Sequence, residues 1–168
     1  MFKVNDYVMY NTMGVYKIVD IRKENDINGN ETEYYILEPA YDSNLTIKTP
    51  VNNTKIFMRK ILTRHEVLSL IESMPEQETV WINNDKQRNA DFKAALKTGD
   101  SEKWVRLIKT LYMEKQEKTA AGKKLMKTDE EIMKAAEKNL FEEFATALNI
   151  SPEEVFSYIH DHVSPQWQ

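Results

Sequence analysis

The chain has 168 residues, 41 % hydrophobic and 30 % charged, which is enough apolar material for one ordinary core or two small ones. It contains no cysteine, so a disulfide framework, a thiolate nucleophile and a thiolate metal site are excluded. No stretch approaches the roughly 18 uninterrupted apolar residues of a membrane span, and the start MFKVND lacks the apolar core of a signal peptide, so we expect a cytoplasmic protein.

The formal net charge of −4 hides an uneven distribution along the chain. Residues 1–85 carry 9 basic and 13 acidic side chains, residues 86–127 carry 12 and 5, and residues 128–168 carry 2 and 9. The net charges of these three segments are therefore −4, +7 and −7. The basic segment could contact phosphates, or it could be a solvated helical surface that the acidic segment balances.

The first sixty residues contain short β-rich runs. Gly14 allows a positive φ in the first hairpin, and Asn28-Gly29 fits a tight turn between the second and third runs. Pro39 and Pro50 stand at strand ends, where a missing N–H does least damage. The pattern predicts strands at 7–11, 14–21, 33–38, 44–49 and 56–59, and five strands in this length favour a small β-barrel.

After residue 62 the hydrophobic period changes from two towards about 3.6, which is typical of helices. Thr63 to Glu66 fits a capping box that begins a short helix ending near Ser73, and Pro75 with the polar residues after it marks a linker. Asp100 is predicted to cap a helix, and capping boxes are predicted at Thr128 and Ser151. The longer helices are predicted at 83–98, 101–118, 129–148 and 152–161.

Two apolar stripes predict that these helices pack together. One contains Trp104, Leu107, Ile108, Leu111 and Tyr112, and the other contains Met133, Ala136, Leu140, Phe144 and Leu148. The sequence therefore predicts an α+β chain with a β-barrel at 1–62, a short helix and linker at 63–82, and a helical domain at 83–168.

The first hairpin also carries a family resemblance. Residues 2–18 read F-x-x-x-D-x-V-x-Y-x-x-x-G-V-x-x-I, which resembles the opening of CarD-type bacterial transcription regulators and of the polymerase-docking domain of the transcription-repair coupling factor. The likeness continues through 34–37, 45–51, 86–88, 96–100 and 107–112, in the order and spacing of the family. It implies a Tudor-like barrel that pairs a sheet edge with the β subunit of RNA polymerase, followed by a helical domain that contacts promoter DNA.

The resemblance implies which residues would bind polymerase. Thr46 and Lys48 lie on the segment that matches the docking strand, and Lys48 stands where family members carry a basic residue aimed at polymerase acids. Arg22 and Lys23, after the second strand, are further candidates. Without the resemblance, the three basic residues would read as ordinary solvated charges at strand ends.

The resemblance also implies a DNA-binding set. Family members insert a tryptophan as a wedge three residues before the arginine that Arg88 matches, but this chain has Asp85 there, and its nearest tryptophan is Trp81. Trp81 is either a displaced wedge or an anchor of the linker, whereas Trp104 should be core and Trp167 lies in the terminal tail. The DNA-binding candidates are Trp81, Lys86, Arg88, Lys93, Lys97, Arg106 and Lys109, which should give salt-sensitive and largely sequence-independent binding.

No catalytic or cofactor site is predicted. His160 and His162 are two residues apart, so they would not share a helix face, and neither a nucleophile-base motif nor a glycine-rich phosphate loop occurs. We therefore expect a non-enzymatic, nucleoid-associated regulator that binds polymerase and promoter DNA. The alternative is a protein-interaction adaptor that binds polymerase or another protein without contacting DNA, which Asp85 and the acidic residues 129–131 favour.

Overall fold

The computed structural model describes residues 1–41 and 44–163. Trp167 lies outside these residues. The chain divides into two compact units, Met1–Ile61 and Leu62–Gln168, which we call the β unit and the helical unit. No helix in the described part of the chain combines the length and the apolar character that crossing a membrane requires.

The β unit is a five-stranded antiparallel sheet with the order β4-β3-β2-β1-β5. This sheet, followed by helices, confirms the predicted α+β class with a Tudor-like β domain before an α domain. The strands are β1 (Tyr7–Tyr10), β2 (Val15–Asn25), β3 (Glu31–Pro39), β4 (Ile47–Pro50) and β5 (Met58–Lys60).

Both predicted hairpins form, and each uses a residue with positive φ. Gly14 has φ +115° between β1 and β2, and Gly29 has φ +80° between β2 and β3. A register shift between Ile18 and Asp20 then changes which β2 side chains face the core. Before the shift, the even-numbered Tyr16 and Ile18 are in the core; after it, even-numbered residues face the other way.

One face of the sheet packs on an aromatic and aliphatic core, and the opposite face buries Met9, Val15 and Ile36. Side chains in that core include Val8, Tyr10, Tyr16, Ile18, Tyr35 and Leu37. Because side chains alternate along a strand, Tyr34 and Ile36 lie on the opposite face, which we call the outer face. Tyr34 is partnered with Arg22, and Ile36 with Lys48, so these four residues belong to the same face.

The helical unit contains five α-helices and one short 3-10 turn at Met74–Glu76. Trp104 is fully buried and donates from Nε1 to the Leu96 carbonyl at 2.9 Å, as expected for a core tryptophan. The predicted apolar stripes supply much of the core around it. The helices are α1 (Arg64–Ser73), α2 (Asp85–Lys97), α3 (Ser101–Ala120), α4 (Lys127–Leu148) and α5 (Pro152–His162).

Most of the predicted helix starts are correct. Thr63 forms both halves of its capping box, Asp100 caps α3, and Glu154 returns a bond to the Ser151 backbone N–H. The box predicted at Thr128 is wrong, because α4 begins at Lys127 after Met126, without a side-chain cap.

Candidate functional site

Strand β4 is an open edge of the sheet. Among the described strands it pairs only with β3, over the partners from Leu37–Ile47 to Tyr34–Pro50. Just beyond β4, the N–H of Val51 donates to the Glu33 carbonyl at 2.9 Å. Because N–H groups alternate in direction along a strand, those of Thr46 and Lys48 point to the open side. The two strongest polymerase-binding candidates thus lie where an added strand would pair.

Lys48 links this edge to the neighbouring strands. Its ammonium group forms an ion pair with Glu24 of β2 and lies 4.5 Å from the centre of the Tyr34 ring. Lys48, Tyr34 and Arg22 therefore share the outer face. Both ionic partners are well exposed, so the pair is worth at most about 1 kcal/mol and can exchange for another carboxylate.

The two polymerase-binding candidates on β2 lie on opposite faces of the sheet. Arg22 forms a 2.6 Å ion pair with Asp20 on the outer face, and this hydrogen bond lowers the pKa of the Asp20 carboxyl below its ordinary value. Lys23 alternates to the other face and lies 3.6 Å from Glu31. The structure thus places Arg22 on the same face as Lys48 but not Lys23.

Helix α2 presents a basic stripe. Lys86, Lys93 and Lys97 are spaced seven and four residues apart, so they lie on one side of the helix. All three are exposed, and within residues 1–41 and 44–163 none of their side chains has an ion-pair or hydrogen-bond partner. We call these residues the lysine stripe. They remain available for phosphates.

Arg88 lies on the opposite side of α2 and is only 3 % exposed. Its Nη2 and Nε donate to the buried Asp129 carboxylate at 2.8 to 3.2 Å, and its Nη1 donates to Asp85 at 2.9 Å and to the Ile82 carbonyl at 3.0 Å. The hydrogen bonds to Asp129 raise the pKa of Arg88 above its ordinary value. Because these contacts occupy its donors, we do not count Arg88 among the residues that are free to contact phosphates.

Trp81 packs against Arg88 on the interior side of α2. Its ring lies 4.4 Å from the Arg88 guanidinium carbon and meets the Phe92 ring edge-on at 6.0 Å. The segment before Asp85 is not helical, and Trp81 is half-buried in it. These contacts favour the anchor interpretation over the wedge. Asp85 itself begins α2 and neutralises part of the Arg88 charge.

The last two DNA-binding candidates lie on α3. Lys109 is buried and donates from Nζ to the carbonyls of Met74, Pro75 and Gln77 at 2.9 to 3.1 Å, and burial lowers its pKa. It therefore stabilises the turn after α1, and we do not count it among the residues that are free to contact phosphates. Arg106 is half-exposed, and its guanidinium donates a hydrogen bond to Gln77 and forms an ion pair with Glu102.

Comparison with known families agrees with this arrangement. The family model described as "CarD-like/TRCF RID domain" matches residues 2–62, and the model described as "CarD, C-terminal domain" matches residues 66–160. The chain belongs to the CarD family. This is a family of RNA-polymerase-interacting transcription factors, and its domains are regulatory and non-enzymatic. No curated protein shows significant similarity to the chain.

The structure of this CarD family member adds basic residues that sequence reasoning did not single out. Lys124 and Lys127 line a cavity of about 510 Å³ at the start of α4, together with Lys115 and Lys134. Arg88 Nη2 lies 3.2 Å from the sulfur of Met126, so the beginnings of α2 and α4 are neighbours. The signal was present in the +7 net charge of residues 86–127, but it could not show which lysines would come together.

The CarD family member shows no metal centre in the part of the chain that the structure describes. There, no group of three or more His, Asp and Glu side chains is arranged to hold an ion. His162 stacks on Tyr158, and its Nδ1 lies 2.7 Å from the Tyr158 carbonyl, while His160 lies near Asp161. These histidines have structural partners on α5 itself.

Proposed function

We propose that this protein docks on the β subunit of bacterial RNA polymerase through β4 and holds promoter DNA through the lysine stripe. The observation that carries the first half is the open β4 edge within a sheet that matches the CarD-like/TRCF RID domain over residues 2–62. Docking would bring the lysine stripe of the helical unit to the initiation complex, and so to the nucleoid.

The edge supports docking by strand addition. An unpaired edge offers backbone N–H and C=O groups to an incoming strand, which supply affinity, while alternate side chains supply specificity. The outward N–H groups belong to Lys48 on β4 and to Thr46 just before it, and position 50 is a proline, which has no N–H to leave unpaired. The Lys48 ammonium group can then leave Glu24 for a polymerase carboxylate at small cost.

The lysine stripe supports contact with the DNA backbone. Lys86 and Lys97 are eleven residues apart, which is about 16 Å along a helix and long enough to reach more than one phosphate. Flexible lysines contact phosphates without reading bases, so the protein would act on many promoters. Additional contacts made only in the open complex would shift the population towards that state.

A proline test addresses the edge directly. Thr46→Pro removes an outward N–H just before β4, whereas Thr46→Ala keeps that N–H and serves as the matched control. We expect Thr46→Pro to weaken binding to purified polymerase core, measured by biolayer interferometry, while Thr46→Ala binds like the wild type. Unchanged binding by Thr46→Pro would contradict strand addition at β4.

A charge test addresses Lys48. Lys48→Glu places a like charge beside Glu24 and opposite the expected polymerase acids, so binding to polymerase should be lost. Retained binding would remove Lys48 from the docking site. Urea unfolding of the same variant shows whether the sheet itself has been weakened.

A salt titration tests the stripe. The double variant Lys86→Glu/Lys93→Glu should lower the slope of log affinity for promoter DNA against log salt by about 0.9 for each phosphate that the variant no longer neutralises. Lys103→Glu, an exposed charge change on α3, is the matched control and should keep the slope. Equal slopes for all three proteins would contradict the assignment.

A second function is favoured by the internal roles of two basic residues. Arg88 and Lys109 are engaged inside the helical unit, and Asp85 puts an exposed carboxylate at the start of α2. These observations support an adaptor that binds polymerase or another protein and never contacts DNA. Absence of DNA binding by the wild type at low salt would favour the adaptor over the DNA-binding regulator.

A further inference from the structure

The β2–β3 hairpin extends beyond the rest of the sheet. Pairing between β2 and β3 continues to Asn25 and Glu31, whereas β4 has its last β3 partner at Tyr34 and β1 pairs with β2 only over residues 15–17. From residue 22 to residue 26 the strand advances about 13 Å at its usual rise. We call residues 22–34 the arm and residues 26–30 its tip.

The tip has a defined conformation. The Asp26 carboxylate accepts the N–H groups of Asn28 and Asn30, both at 2.8 Å, and Asp26 N donates to the Asn30 carbonyl at 2.8 Å. Gly29 supplies the left-handed residue. A tip fixed by these bonds loses little conformational entropy when it binds a partner.

Ile27 is the side chain that this tip presents. It is 104 % exposed, the highest exposure of the large apolar residues in the described chain, and its neighbours Asp26 and Asn28 are polar. The turn bonds use Asp26, Gly29 and backbone groups, so position 27 needs no apolar side chain for folding. An apolar side chain with a polar rim, held on a rigid support, has the form of a binding anchor.

The arm is continuous with the candidate docking edge. Glu24 on the arm forms the ion pair with Lys48 of β4, and Tyr34 at the base of the arm lies under the Lys48 ammonium group. A partner strand that pairs along β4 therefore brings its own domain towards the arm. Because the arm and the edge are continuous, we infer that the partner of Ile27 is the same protein that binds β4.

We propose that Ile27 inserts into an apolar recess on RNA polymerase beside the surface that pairs with β4. This inference rests on the proposed docking of β4 on polymerase. Burial of an isoleucine stabilises a complex enough to change its affinity by about tenfold or more. The arm would thus fix the orientation of the β unit after the edge has paired.

Substitution at position 27 tests the anchor by biolayer interferometry with polymerase core. Ile27→Asp should raise Kd by about tenfold or more, whereas Ile27→Leu keeps the apolar contact and should bind within about threefold of the wild type. Val4→Asp, at another exposed apolar residue of the β unit, is the matched control and should bind like the wild type. Unchanged Kd for Ile27→Asp, or an equal loss for Val4→Asp, would overturn the anchor.

Cross-linking gives an independent readout, because the chain has no cysteine. Ile27→Cys labelled with benzophenone maleimide should cross-link to a polymerase subunit, and Val4→Cys labelled in the same way should not. Polymerase binding by labelled Ile27→Cys without a cross-link would overturn the anchor while leaving β4 docking intact. Failure of the wild type to bind polymerase would overturn both proposals.

Discussion

Replacing Asp129 by alanine should lower the free energy of unfolding by about 3–5 kcal/mol, because it leaves the Arg88 guanidinium buried without its main partner. Arg88 is 3 % and Asp129 1 % exposed, and their closest atoms, Nη2 and Oδ2, are 2.8 Å apart. The bonds from Nη1 to Asp85 and to the Ile82 carbonyl would remain. They place the expected cost at the lower end, about 3 kcal/mol.

This loss is large against the total stability of a domain, which is about 5–15 kcal/mol. Urea unfolding followed by the helical circular dichroism signal measures it directly. A double-mutant cycle with Arg88→Met and Asp129→Leu isolates the pair: each single change should be costly, and the double variant should recover part of the loss because no unpaired charge remains.

A cost of less than about 1 kcal/mol for Asp129→Ala, the value of an exposed ion pair, would contradict a buried and essential partnership between Arg88 and Asp129. Simple addition of the two single losses in the double variant would contradict it as well. A folded Arg88→Met variant with normal stability and weaker DNA binding would indicate that Arg88 contacts DNA phosphates.

Three further predictions concern single positions. Lys109→Met leaves three backbone carbonyls without their buried donor, so unfolding should become easier by about 1–3 kcal/mol, and an unchanged Tm would contradict this role. Burial raises the pKa of Glu137, so its favourable contribution to stability is present below its ordinary pKa and is lost as pH rises through the folded-state value. Glu137→Gln should therefore be more stable than the wild type in urea unfolding near about pH 7, and this advantage should vanish near about pH 3. Gly29→Ala should cost about 1 kcal/mol from its φ of +80° alone, because no atom lies within 4 Å of the added carbon; a much larger loss of stability in urea unfolding would contradict that value.

Local sequence signals located the elements well because their causes lie within a few residues. Gly14 and Gly29 determined the hairpins, and Thr63, Asp100 and Ser151 marked helix starts through side chains that reach their own backbone. The local signal failed at Thr128, because α4 begins at Lys127 and has no side-chain cap.

In the candidate site, too, some features follow from local spacing and others depend on tertiary contacts. Helical spacing alone places Lys86, Lys93 and Lys97 on one side of α2, and the structure finds them exposed. Spacing could not show that Arg88 and Lys109 turn inward, since that depends on Asp129 and on the carbonyls after α1. Nor could it show that the shift after Ile18 puts Arg22, and not Lys23, on the same face as Lys48.

The sequence by itself determined the α+β class, the order of the elements and the resemblance to the CarD family, because hydrophobic period, turn residues and caps act locally. Only the tertiary structure decided which basic residues are available to a partner. Burying a charge requires an opposite charge or several carbonyls around it, and those groups come from distant parts of the chain. Arg88 and Lys109 found such partners, whereas the lysine stripe, the β4 edge and Ile27 remain facing outward.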